Sequence, residues 1–293
     1  MSRQLFRLVI GFVIGLVGVL SYCTTQVENP ITGQQQRIRL SPTEEVQLGL
    51  QTRGQLAQQF GGLYPDNSVQ DAVERVGQRI VQQSVVSQSE YPFEFHVLQD
   101  SETVNAFALP GGQIFITNAL LQRLNSQSQL AGILGHEIGH VVARHGAEHL
   151  AKRELGSTLV TAVGVATTDE QGRGRQTAAI ARVANEMVAL QYGREAELES
   201  DRLGVQFMAE AGYDPRGMIE VMEILGSAQS GSPSPEFLST HPNPDNRIQR
   251  IEEAIAEDFP NGIPPDLESK HLNPIPISRR SPVQWRRSPQ GSY

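Results

Sequence analysis

The five residues His136-Glu137-Ile138-Gly139-His140 restrict what this 293-residue chain can become more than any other stretch of it. On an α-helix each residue advances about 100°, so histidines four positions apart stand about 40° apart on one face and one turn from each other. Both imidazoles can then reach a single metal ion. Glu137 lies next to that face, badly placed to join the same tetrahedral shell but well placed to act as general base on an attacking water. Leu130, Ile133, Leu134, Ile138, Val141 and Val142 make the helix apolar on several sides. Two imidazoles and a carboxylate are costly to bury there without a partner, and a cation is a partner for all three. His145 and His149 project about 180° and 220° from His136 on a continuous helix, which excludes them as ligands and reads them as surface or capping residues.

Catalytic zinc usually takes three protein ligands, so a third must come from elsewhere. The helical run from Tyr192 to Asp201 offers it. Glu197, 57 positions after His140, shares a face with Asp201 at four-residue spacing, whereas Glu195 and Glu199 fall opposite. Glu197 is the candidate ligand, and Asp201, with Arg194, is the candidate for holding a ligand from behind. Read alone, the same run is a solvated acidic face with Arg194 and Arg202 as surface partners.

The remaining pattern predicts an α+β fold that is mainly helical. Ser41-Pro42 followed by Glu44 is a helix start, running to about Phe60. Val69, Val73, Val76 and Ile80 recur at helical spacing and predict a helix from Asp66 to Ser87. The period then changes to short apolar runs at 93–98, 106–109 and 113–116, with a tight turn at Pro110-Gly111-Gly112. Further helices are expected near 118–124, 127–152, 177–212, 215–228 and 244–257, with a Gly-containing loop at 163–176 and a Pro/Arg-rich, disordered tail at 258–293.

The amino terminus reads as an export or anchor segment over residues 1–23, followed by a linker at 24–40. Arg3 and Arg7 precede an uncharged apolar run at 8–22, shorter than the ~20 residues of a stable span and better matched to a signal peptide. Cys23 is the single cysteine, so no intrachain disulfide is expected. Its place at the end of the run, after Leu20-Ser21-Tyr22, is that of a lipidated cysteine in a bacterial lipoprotein, although Tyr22 stands where a small residue is usual. The body of the chain, 41–257, is large enough for a real core. Thirty-two acidic against 24 basic residues give a charge of −8, which argues against nucleic acid as a partner.

Four motifs, in chain order Asn105-Ala106-Phe107-Ala108-Leu109-Pro110-Gly111-Gly112, HEIGH at 136–140, Glu197 to Asp201 and Ser239-Thr240-His241-Pro242, resemble peptidase family M48 over roughly residues 40 to 256. This is the gluzincin family that includes HtpX and the CAAX prenyl proteases, and the likeness is greatest to its small periplasmic members. The resemblance implies one Zn²⁺ per chain on His136, His140 and Glu197, with Glu137 as catalytic base. It makes the segment from Asn105 to Ile116 an edge strand lining the cleft, with Asn105, Ala106, Phe107, Ala108, Gly111 and Gly112 receiving an extended substrate by strand addition. It gives His241 a regulatory or transition-state role near the metal. The implied activity is zinc-dependent endopeptidase action on unfolded or misfolded proteins of the bacterial envelope, on the periplasmic side, from a membrane-anchored or lipidated chain. His241 lies 52 positions before the last residue, Tyr293, leaving no room for a long helical-repeat domain, so docking to an outer-membrane assembly machine by that route is not expected. Two other readings compete: a periplasmic chaperone-like binding protein with a latent or structural zinc site, and a membrane scaffold that holds no metal.

Overall fold

A computed structural model describes residues 3–167, 192–227, 235–242 and 246–267. Helix α1 runs Arg3–Cys23, and two short antiparallel strands follow, β1 Gln26–Glu28 and β2 Gln35–Arg37. The segment 24–40 is thus a hairpin rather than a linker. Its side chains also close the HExxH helix: Asn29 Nδ2 donates to Val142 O at 2.7 Å, and Gln36 Nε2 donates to Ala143 O. Carbonyls at a helix end lack intrahelical partners, and here the hairpin satisfies two of them.

Helix α2, Pro42–Gln59, begins with a reciprocal cap in which Glu44 N donates to Ser41 Oγ and Ser41 N donates to Glu44 Oε2. Helix α3, Asn67–Gln83, buries Val69, Val73, Val76 and Ile80 on one face. It stops four residues short of the expected Ser87, because Ser84 turns extended and caps a separate 3₁₀ turn, Val85–Gln88.

The three longer strands are β3 Glu94–Leu98, β4 Ala106–Leu109 and β5 Gln113–Thr117, in the order β3-β5-β4. β3 runs parallel to β5, and β4 returns antiparallel beside β5 through the Gly111-Gly112 turn. Both glycines have positive φ, and a Cβ on Gly111 would lie 2.4 Å from Val46 Cα, so this turn is wedged against α2.

Helix α4, Asn118–Leu121, leads into α5, Gln127–Val142, whose residues from Ser128 to Val142 are all buried. The expected single helix over 127–152 is broken. Arg144 adopts φ 55°, and a separate helix, α6, His145–Thr167, starts after it. Residues 163–167, expected in a loop, continue α6, and the rest of that loop, 168–176, lies outside the described residues, as does most of the first half of the expected 177–212 helix. The second half is α7, Arg194–Glu210, followed by α8 Arg216–Ser227, a short α9 Glu236–Thr240 and α10 Arg247–Asp258. The tail from 268 onward also lies outside the described residues.

Small residues set the distance between the two helices that carry the site. A Cβ on Gly139 would stand 3.0 Å from Ser200 Cα, and one on Gly204 would stand 3.1 Å from His136 N. Glycines on facing helices let the backbones of α5 and α7 approach until short carboxylates on one can touch imidazoles on the other.

Candidate metal centre

On that seam His136, His140 and Glu197 turn their donor atoms inward, and His241, just past the end of α9, adds a fourth. His136 Nε2 lies 3.1 Å from His140 Nε2 and 3.2 Å from His241 Nδ1. Glu197 places its oxygens 3.5 Å from His136 Nε2, 3.4 Å from His140 Nε2 and 3.1 Å from His241 Nδ1. Donors at about 2.0–2.1 Å from a tetrahedral zinc would be spaced about 3.3 Å apart. The contacts above are on that scale, with Glu197 reaching His136 through Oε2 and His140 and His241 through Oε1, and one donor atom from each of the four residues lies within 4.8 Å of the others. Buried nitrogen and carboxylate donors converging at that spacing fit a divalent metal.

The carboxylates support the same conclusion. Glu137 is fully buried, and neither of its oxygens has a hydrogen-bond partner; the nearer one stands 3.5 Å from His241 Nε2. Burial holds its carboxyl above the usual range, against the pull of His241 and His136. Glu197 behaves oppositely. Burial alone would raise it, but His241, His140 and His136 outweigh burial and hold it well below the usual range. One acid is thus kept ionised among the donors, while its neighbour is left with raised basicity.

Behind the donors each histidine of α5 has its own support. His136 Nδ1 lies 2.8 Å from Asp201 Oδ1, which leaves Nε2 facing the other donors. Arg247, with no exposed surface, grips Asp201 from Nε at 2.7 Å and from Nη2 at 2.9 Å and comes within 3.2 Å of Glu197 Oε2. His140 Nδ1 lies 2.9 Å from His145 Nδ1, and His145 Nε2 lies 3.2 Å from Glu199 Oε2. With Nε2 of His140 committed to the cluster, its Nδ1–H donates to His145, which in turn donates from Nε2 to the Glu199 carboxylate. Tyr192 stacks on the His140 ring, centroids 3.9 Å apart.

A profile of peptidase family M48 matches residues 67–255, the span from α3 to within α10 that holds every donor. The chain belongs to peptidase family M48. Among relatives, it is 34% identical over 186 residues to the mitochondrial metalloendopeptidase OMA1 of Schizosaccharomyces pombe, covering 63% of this chain and 52% of that protein. It is 31% identical over 219 residues to the beta-barrel assembly-enhancing protease of Escherichia coli, covering 71% of this chain and 43% of that one. A third relative, the OMA1 metalloendopeptidase of Bos taurus, is 29% identical over 258 residues, covering 83% of this chain and 48% of that one. The chain therefore spans about half the length of the curated relatives it matches.

In this M48 chain several residues stand elsewhere than the sequence led one to expect. Arg194 is exposed, bonded to Asn246 Oδ1 at 2.8 Å, and takes no part in the site. Arg247 does what was expected of it. A signal for Arg247 existed: with Ile251, Ala254 and Ile255 it falls on the buried stripe of α10, where a guanidinium belongs only if something pairs with it. His145, expected at the surface, is buried, because the break at Arg144 turns it back beneath His140. Glu199, placed opposite the ligand face, supports the site through His145 for the same reason.

The strand residues fall in two groups. Asn105, Ala106, Phe107 and Ala108 lie on or just before β4, the outer strand beside β5, and the end of β4 at Ala108, Leu109 and Pro110 shares a small recess with His140, Arg144 and Tyr192. The Asn105 amide is buried with neither its oxygen nor its nitrogen hydrogen-bonded. Gly111 and Gly112 instead pack against α2 and the start of β3. Cys23 is an exposed free thiol at the end of α1.

Proposed function

We propose that this chain is a zinc-dependent endopeptidase of the cell envelope that cuts unfolded or misfolded proteins and is held latent by His241. One observation carries the reading: a fully buried Glu137 without a hydrogen bond, beside three donors, His136, His140 and Glu197, that converge within 4.8 Å of one another. A zinc ion held by those three would act as Lewis acid, lowering the pKa of water and polarising the scissile carbonyl.

The chain's own residues do the rest. Glu137 takes the proton from the attacking water and passes it to the leaving amine, which its raised basicity favours. Asp201 and His145 hold the two imidazoles in the tautomer that leaves Nε2 free. β4 offers backbone groups to an extended chain, and strand addition reads backbone rather than side chains, which suits substrates that have lost their fold. The Asn105 amide, fully buried and without a hydrogen bond, would pair with such a chain once the groove beside β4 opens.

Latency follows from the fourth donor. Catalytic zinc sites keep one position open, and His241 Nδ1, 3.2 Å from His136 Nε2 and 3.1 Å from Glu197 Oε1, would fill it. The helix that ends at His241 also holds the approach to β4, with Phe237 N donating to Val104 O at 3.0 Å. Moving α9 would open both the metal and the strand. The apolar α1, or a lipid on Cys23, would hold the chain at the envelope membrane, and the length and apolar surface of α1 support that reading. The closed four-donor set also suits a chaperone-like protein with a structural zinc, and one experiment separates the two. Casein cleavage is followed for the zinc-loaded chain, His241→Ala, and Glu137→Gln combined with His241→Ala. A protease gains turnover on His241→Ala and loses it again with Glu137→Gln at full zinc occupancy. Silence from all three would leave the chaperone reading.

A further inference from the structure

We propose that the second half of α6, Leu155–Thr167, lies in the lipid bilayer beside α1, so that two antiparallel helices and not one embed this protein. α1 has 21 residues, about 31 Å at 1.5 Å per residue, against a hydrocarbon core of about 30 Å. Its large side chains face outward: Phe12 is 70% exposed and Val17 58%. A run of this length with such a surface is suited to lipid, not to water.

α1 does not stand alone. Its glycines turn toward α6: a Cβ on Gly15 would lie 3.6 Å from Ala162 Cβ, and one on Gly18 would lie 3.5 Å from Thr158 Cβ. As α1 advances from 15 to 18, its contacts on α6 retreat from 162 to 158, so the helices run antiparallel. Close approach through small residues is how helices associate where lipid removes the hydrophobic drive between them.

The facing half of α6 is made for the same surroundings. From Leu155 to Thr167 it contains no Asp, Glu, Lys, Arg or His. Its hydroxyls at Ser157, Thr158 and Thr161 each donate to a carbonyl three or four residues earlier, at 2.8–2.9 Å, so these three are satisfied within the helix. Leu159 is 40% exposed.

Charge resumes at one level. Glu154, the residue before this half, pairs with Arg39 of the segment after β2, and Arg37 lies over the ring of Tyr22 at 5.6 Å. Tyrosine and paired charges mark a membrane–water boundary. Arg3 and Arg7 lie at the far end of α1. The catalytic helix α5 is separated from this embedded half only by Arg144 and the first turns of α6, so the site is held close to the membrane surface.

The test uses the full chain with Cys23→Ser, which removes lipidation, and Trp285→Phe, reconstituted in phosphatidylcholine vesicles. Tryptophan is placed at Leu159 or, as reference, at Phe12, and brominated phosphatidylcholine is the quencher. The expected result is loss of Leu159→Trp emission equal to that of Phe12→Trp. Emission from position 159 that bromine leaves unchanged would overturn the proposal, whether the face is then wet or covered by a second copy. In parallel, Gly18→Cys with Thr158→Cys should form an intramolecular disulfide in the membrane fraction, since a Cβ separation near 3.5 Å is within disulfide reach. Failure to cross-link would also overturn it.

Discussion

Arg247 holds both carboxylate oxygens of Asp201, at 2.7 and 2.9 Å, in a place where neither residue touches solvent appreciably. Asp201 in turn holds His136. The chain of contacts therefore runs from α10 through α7 to the face of α5 that carries the candidate donors, and α10 takes part in positioning His136.

Arg247→Met should cost about 3–5 kcal/mol of stability, because it leaves Asp201 and Glu197 buried without their cation. It should also weaken zinc binding by about 10–100-fold, the usual effect of losing a group that orients a ligand. Urea unfolding and chelator competition would measure the two. Zinc affinity equal to wild type would show that Asp201 orients His136 unaided.

His145→Ala should weaken zinc binding through His140, again by about 10–100-fold. Glu199→Gln should do so to a smaller extent, since an amide oxygen can still accept from His145 Nε2. The check is the same competition assay, with circular dichroism to show that α5 stays intact. If both variants bound zinc as wild type does, His145 would be packing only.

Gly139→Ala puts a Cβ 3.0 Å from Ser200 Cα and O. Overpacking of this kind costs about 1–3 kcal/mol, of which the better helix propensity of alanine returns up to about 1. The seam should open and draw Glu197, one turn from Ser200, away from the histidines, so zinc affinity should fall with stability. A variant as stable and as zinc-avid as wild type would mean that the seam yields elsewhere.

Burial raises the Glu137 carboxyl above its ordinary value of 4.5, and a base must be ionised to work. In the zinc-free chain the protonated form gains as pH falls through this raised value, so the Glu137 carboxyl should take up its proton while still above pH 4.5. Infrared difference spectra of the zinc-free chain against Glu137→Gln, followed with pH, test this. A Glu137 carboxylate band that persists unchanged down to pH 4.5 would contradict the assignment.

What could be read along the chain is what is local. Four-residue spacing puts His136 with His140, and Glu197 with Asp201, on shared helix faces, because helical geometry depends on nothing beyond the helix itself. The capped start at Ser41 and the valine stripe of α3 were legible for the same reason. His241 was reachable through family resemblance, since nothing in its own neighbourhood points to a metal.

Tertiary structure decided whatever depended on where a helix ends or what meets it across the fold. Helical arithmetic placed His145 on the wrong side because it assumes an unbroken helix, and Arg144 at φ 55° breaks it. That break is stabilised from a distance, by Glu45 of α2, whose Oε1 accepts from Arg144 Nε at 2.8 Å, and by Leu40 O, which accepts from Nη2. Arg247 and the hairpin at 26–37 belong to the same class. Each acts on residues more than 40 or 100 positions away, and a contact across that separation exists only once the chain has folded.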